Sequence, residues 1–280
     1  TAGSRGSEAG LSWRSVYADT ICRMGETEIT CAAGTIVGEA RGGARVFNSV
    51  PYLAETRPFD DPAPVEQGLL IDATAPNPNA LAISTSLEAR PGTDCPVIVW
   101  LSQPVEPGDG IVHVHVPHRR GFEGFLPFAA DAIGHFRGVA DVKLALRWVQ
   151  QNIEAFGGDP TNVTVVGAGE EAAVALWLCR RDHYAGEFRR VWAADPVFPR
   201  APYEKRKWIV RYLLSAPLTR AKLNELAENR PARLGRSYRR YAKCFGPMGP
   251  QPYDAAELAD LATVRVEEAL DPHAIAEFAR

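Results

Sequence analysis

Five consecutive residues, Gly167-Ala168-Gly169-Glu170-Glu171, have the composition of a tight turn between a strand and a helix, and two chemistries use such a turn. An apex hydroxyl would be held out as a nucleophile by the strained backbone. A glycine-rich apex would instead let backbone N–H groups approach a phosphate. Here the apex is Gly169, which has no side chain to attack anything. The stretch also fits Gly-x-Gly-x-x-Ala, with Asp195 after a later strand as a ribose-binding acid, so a dinucleotide reading stays open. Against it, Glu170 and Glu171 put two negative charges where a pyrophosphate would sit. Those charges suit the positive first turn of a helix.

Two further groups carry chemical side chains. His113 and His115 alternate with valine and so share one strand face; with His118 they are three potential metal ligands, or equally three packed histidines. We expect no metal site and no cofactor. Arg233, Arg236, Arg239, Arg240 and Lys243 interleave with Leu234, Tyr238, Tyr241 and Phe245, an amphipathic basic helix. Such a helix could bind nucleic acid, an anionic lipid surface or an acidic protein, or dock by its apolar face and leave the arginines solvated.

The elements that must position these residues follow from periodicity. Pro96–Leu101, Ile111–Val116, Val163–Val166 and Arg190–Ala194 are short apolar or β-branched runs, as in parallel strands buried on both faces. Leu81–Thr85 is a further strand, and residues 27–50 alternate like a hairpin. Val142, Ala145, Leu146, Val149, Ile153 and Phe156 lie on one face of a helix over 140–156. Asp141 is placed to cap its start, and Gly157-Gly158-Asp159-Pro160 to stop it. Strand–helix–strand–helix–strand predicts a parallel sheet with right-handed crossovers. The Pro-rich 51–78 reads as loop, and after Pro196 only helices broken by prolines are predicted.

Composition bounds the rest. The 280 residues are 46% hydrophobic and 23% charged, ordinary for a globular chain and unlike disordered or fibrous proteins. No run approaches the roughly 20 apolar residues of a membrane helix, and the N-terminus lacks the apolar core of a signal peptide. Cys22, Cys31, Cys95, Cys179 and Cys244 are odd in number and unclustered, which favours a reducing, cytoplasmic setting over a disulfide framework. The net charge of −3 hides an asymmetry, because residues 200–247 carry thirteen Lys/Arg against three acids. Either the acidic C-terminal stretch neutralises that segment or an anionic partner does.

From Asp141 through Ala145-Leu146-Arg147-Trp148-Val149-Gln150-Gln151-Asn152-Ile153-Glu154-Ala155-Phe156-Gly157-Gly158-Asp159-Pro160-Thr161-Asn162-Val163-Thr164-Val165-Val166-Gly167, the chain closely resembles the type-B carboxylesterase/cholinesterase family of α/β-hydrolases. Weaker echoes are Phe47–Tyr52, Pro96–Trp100, His118–Leu126 and Gly186–Val191, so the likeness spans roughly 30–200. The resemblance implies a Ser in a Gly-x-Ser-x-Gly elbow, a His-Gly-Gly oxyanion loop after the Val-Trp strand, and a later acid and His. In this chain Gly169 stands at the Ser position, Glu171 at the last Gly, and Ser102–Gly110 replaces the oxyanion run. No strand bearing an acid or His is visible afterwards. We therefore expect a truncated α/β-hydrolase, mostly parallel sheet with helices on both faces and a helical C-terminal part. Its divisions would be a flexible lead (1–20), a core (21–200) and a helical region (201–280) covering the sheet edge at 191–194. The expected role is non-catalytic, with a protein partner or a second copy (a dimer); an atypical acyl hydrolase is the alternative.

Overall fold

In the computed structural model, residues 26–103, 110–200, 202–252 and 254–280 are described. The apolar runs pair into one ten-stranded sheet, β1 (Glu26–Cys31), β2 (Gly34–Arg41), β3 (Ala44–Val50), β4 (Leu69–Asp72), β5 (Leu81–Ser86), β6 (Cys95–Trp100), β7 (Val112–His115), β8 (Gly158–Ala168), β9 (Arg190–Ala194) and β10 (Thr263–Glu267). The order is β1-β2-β3-β5-β7-β6-β8-β9-β10, with β4 beside β2. Neighbours from β1 to β7 along this path are antiparallel, and those from β7 through β6, β8 and β9 to β10 are parallel.

The parallel strands read as continuous apolar runs because both faces are buried. On one face Val97, Val99, Val163, Val165 and Val191 pack under α2 (Arg137–Asn152) and α3 (Glu170–Leu178). On the other, Ile98, Trp100, Val166 and Trp192 pack under α7 (Pro272–Ala279), which seats Ile275 and Ala279 on them. α1 (Gly121–Phe125) precedes α2 in the chain, and α4 (Lys207–Leu214), α5 (Arg220–Asn229) and α6 (Pro231–Phe245) come between α3 and α7. No helix among the described residues is long and apolar enough to cross a membrane.

Several expectations need correction. Residues 201–280 are not all helical: β10 pairs with β9 in parallel register, Val264 beside Val191 and Val266 beside Ala193. The sheet edge expected at 191–194 is thus covered by a strand, and β10 is the outer one. The loop at 51–78 contains β4. The hairpin at 27–50 is a three-stranded meander. The expected lead, 1–20, lies outside the described residues.

The helix over 140–156 begins earlier, at Arg137, and tightens into a 3₁₀ turn at Ile153–Phe156 that ends on left-handed Gly157. Asp141 is therefore no cap. It is fully buried within the helix, where its carboxylate accepts from Arg119 N (2.9 Å), Nε (2.9 Å) and Nη2 (2.7 Å). Arg119 in turn donates to the Pro58 carbonyl at 3.1 Å and the Asp60 carbonyl at 2.5 Å. A buried carboxylate needs such partners, since an unpaired ion in a low-dielectric interior costs several kcal/mol. This pair clamps the segment between β7 and α1, and so fixes where Arg120 points.

Candidate functional site

Strand order locates the site. The chain leaves β6 toward β7 on one side, and later continues from β8 toward β9 on the other. In an open α/β sheet that reversal opens a crevice at the carboxyl ends of the two diverging strands. Here these ends are Trp100–Ser102 and Gly167–Gly169. They are tied together where the Ala168 N–H donates to Ser102 Oγ at 2.8 Å and the Leu101 N–H to the Val166 carbonyl at 2.9 Å.

At the end of β8 the backbone turns on Gly169, with φ 61° and ψ −119°, and enters α3 at Glu170. This positive-φ conformation is costly for a residue with a Cβ and readily adopted by glycine. The turn is pinned from both sides: the Gly169 N–H donates to Ala194 O (2.9 Å), and its carbonyl accepts from Val197 N (3.0 Å). A Cβ on Gly169 would meet nothing within 4 Å among the described residues, so the apex is open on their side. Gly167 has the opposite reason for its identity. A Cβ there would lie 2.6 Å from the carbonyl carbon and oxygen of Glu171, because α3 crosses directly over the strand end. The turn is thus built as an exposed elbow, with hydrogen at its tip.

The groups around it are charged. Glu171 Oε1 lies 2.8 Å from Arg120 Nη1, with the carboxylate largely covered and the guanidinium half exposed. Glu170 is partly buried, and Tyr238 from α6 donates to its Oε2 at 3.4 Å. Burial first, and the adjacent Glu171 second, push the Glu170 carboxyl above the usual range; the Tyr238 hydrogen bond and Arg120 oppose this. Tyr238 also accepts from Met248 N (3.4 Å) and packs edge-on against Phe122 at 5.2 Å. Its hydroxyl is raised by burial and by Glu170. α6 therefore leans over the elbow, a contact that alternation within α6 alone did not reveal.

Of the three histidines, His113 is packed against a tryptophan. Trp100 Nε1–H donates to His113 Nδ1 at 2.9 Å and the two rings stack, so the proton of the neutral imidazole sits on Nε2. Burial pushes His113 down to about 4. His118 is pushed to about 4 by burial and then by Arg120, and His115 is lowered for the same two reasons. Among the described residues, no group of three or more His, Cys, Asp or Glu side chains is arranged to hold a metal ion. None of the hydrogen bonds among them joins a Ser, Thr or Cys side chain to an imidazole. Cys179 is buried, and its thiol is pushed up to about 12. The replaced oxyanion loop falls largely at 104–109, outside the described residues.

The basic helix forms as expected and docks by Leu234, Ser237 and Tyr241. Arg233 is half-buried and donates to the Leu214 carbonyl at 2.8 Å, which gives it a structural partner. Arg236, Arg239, Arg240 and Lys243 are exposed. Of the two sources of neutralisation left open, the acidic C-terminal stretch makes no ion pair with them among the described residues: Asp260 pairs with Arg181 (2.7 Å) and Glu257 with Arg180 (3.6 Å). Sequence reasoning did not find the Arg119–Asp141 clamp. Its signal was present, since Asp141 stands four residues before Ala145, on the apolar stripe.

Comparison with known proteins agrees with this geometry. The carboxylesterase family matches residues 105–196. Para-nitrobenzyl esterase of Bacillus subtilis (strain 168) is 30% identical over 194 residues, which is 53% of this chain and 40% of that protein. Cholinesterase 1 of Branchiostoma lanceolatum is 45% identical over 65 residues, covering 23% of this chain and 18% of that one. Among solved structures, an esterase from Clostridium hathewayi superposes with a TM-score of 0.67 at 21% identity, covering 86% of this chain and 61% of that chain. Juvenile hormone esterase from Manduca sexta gives 0.66 at 20%, covering 83% and 55%. The chain thus spans less than two thirds of the length of these relatives.

Proposed function

We propose, from a chain that is type-B carboxylesterase-like in sequence and α/β-hydrolase in fold, that its elbow no longer performs acyl transfer and that the scaffold works by binding. The observation that carries this reading is Gly169: the backbone holds φ 61° and ψ −119° at an open apex, yet presents only hydrogen there. Nucleophilic catalysis needs a side chain within hydrogen-bond reach of a base. Among the described residues the polar groups near the elbow are instead two carboxylates, one of them paired with Arg120, the Tyr238 hydroxyl donating to the other, and Ser102 Oγ accepting a backbone N–H. The free cysteines Cys31, Cys95, Cys179 and Cys244 support a cytoplasmic setting for this role.

A second reading, an atypical acyl hydrolase, is favoured by the half-buried Glu170 beside the elbow, whose raised pKa suits a general acid or base. One experiment separates the two. Purified protein is assayed with an activated p-nitrophenyl ester and a fluorophosphonate probe, against heat-killed protein and a Glu170→Gln variant. Turnover and labelling no higher than the heat-killed control support the binding scaffold. Turnover well above it, lost in Glu170→Gln, overturns that reading in favour of the hydrolase.

A further inference from the structure

The proposed binding role leaves open what is bound, and the surface of α4 and α6 narrows it. α4 turns Val210 and Leu214 inward. Its opposite side carries Trp208, 70% exposed, and Tyr212, 77% exposed, one turn apart, with the exposed Arg211 between them. Burying two such rings is worth far more than exposing them, and contiguous exposed aromatics mark an interaction site. The two flank a shallow cleft that also includes Ser215, Ala216 and Pro217.

α4 lies alongside α6. Arg233 and Ser237 of α6 donate to the Leu214 and Leu213 carbonyls at the end of α4, while Arg206 at its start donates to the Phe245 carbonyl (2.9 Å). The helices therefore run antiparallel, side by side. On α6 the outer side is Arg236, Arg239, Arg240 and Lys243, spaced at +3, +4 and +7 along one helix face. Lys205 and Lys207 lead into α4 and are exposed as well. None of these cations is in an ion pair with a described residue. The result is a pair of exposed aromatic rings on one helix beside a row of exposed cations on its neighbour.

We propose that this surface docks on an anionic phospholipid bilayer. Trp and Tyr favour the headgroup level, where one end of the ring is apolar and the other wet. Clusters of four to eight Lys/Arg on a helical surface are drawn to anionic lipid. Single-stranded nucleic acid also uses cations and aromatics, along a groove that tracks the backbone; here the cleft beside the rings is short, and the cations of α6 lie on a neighbouring helix. This inference concerns the partner of the binding role, and its test reads lipid association without reference to ester turnover.

The experiment is co-sedimentation of the whole chain with vesicles of phosphatidylcholine alone, and of phosphatidylcholine with phosphatidylserine, at low and high salt. Alongside it, the emission of Trp208 is read as the difference between wild type and Trp208→Phe. The expected result is association with the anionic vesicles only, reversed by salt, with Trp208 emission shifting to the blue. Arg239→Gln/Arg240→Gln should lower partition on the order of tens-fold, from about fivefold per cation. Both arginines are exposed and unpaired, so the fold is retained. Equal binding to neutral vesicles, no binding at low salt, or binding with no change in Trp208 emission would each overturn the proposal. So would tighter association with a single-stranded oligonucleotide that competes the protein off the vesicles.

Discussion

Gly167 and Gly169 are two residues apart and should fail for different reasons when each is changed to alanine. At Gly169 the new methyl touches nothing within 4 Å among the described residues, so the cost expected is conformational. Holding an L-residue in this sparsely populated positive-φ region costs about 1–3 kcal/mol, and the stiffer unfolded chain returns about 0.4–1 kcal/mol. The net loss is about 1 kcal/mol, and about 2.6 kcal/mol at most. At Gly167 the methyl would lie 2.6 Å from the Glu171 backbone, and neither a strand end nor a helix start can yield as a side-chain tip can. Overpacking against backbone costs about 1–3 kcal/mol or more, so Gly167→Ala should lose about 2–4 kcal/mol. Urea denaturation followed by far-UV circular dichroism reads both values, provided the m-value is unchanged. If Gly169→Ala proves as damaging as Gly167→Ala, the exposed-apex description is wrong. Gly169→Ser extends the test: it supplies a hydroxyl at the apex without a hydrogen-bonded imidazole, so fluorophosphonate labelling should stay at the wild-type level.

Three further outcomes follow from the site and its supports. Asp141→Ala leaves Arg119 buried without its carboxylate and should cost about 3–5 kcal/mol, read as a drop in the urea midpoint; a loss under 1 kcal/mol would mean the clamp is not structural. His113 has its pKa depressed to about 4 by burial, so its contribution is full above the unfolded value of 6.5 and is lost as pH falls toward 4. The size is about 3 kcal/mol at most. His113→Gln, which keeps an acceptor for Trp100, should flatten the stability profile over that window, and an unchanged profile would contradict the assignment. Glu170 has a raised pKa, so the folded state loses stability as pH rises from the unfolded carboxyl value through the folded one. Glu170→Gln should therefore compare more favourably with wild type at pH 7 than at pH 4, as thermal denaturation at the two pH values would read.

Much of the fold could be read from the chain because its central strands are buried on both faces. Val97-Ile98-Val99-Trp100 and Val191-Trp192-Ala193 have no polar side to obscure them, and β9 emerges with the bounds expected. The elbow was equally readable, since a glycine pair between a β-branched run and a helix has few other uses. β10 was harder. Thr263-Val264-Arg265-Val266-Glu267 alternates, but an outer strand carries charge and short length, which weakens the apolar signal that marks a strand. Asp141 was misplaced because a carboxylate near a helix start reads locally as a cap. Only the tertiary approach of Arg119, twenty-two positions earlier, explains its burial. The lean of Tyr238 over Glu170 depends in the same way on how α6 meets α1, which no local period encodes.

The pairing of β9 with β10 sets the order in which the molecule can be completed. The outer side of β9 gains its strand only after the whole of α4, α5 and α6 has been made, because these helices lie between Ala194 and Thr263. During synthesis a flat, largely apolar ribbon must therefore wait beside the ribosome with one row of N–H and C=O groups unfilled. Non-local parallel pairing is slow, and waiting edges invite aggregation. A nascent chain arrested before Thr263 should accordingly bind holdase chaperones, and release them once Glu267 has emerged.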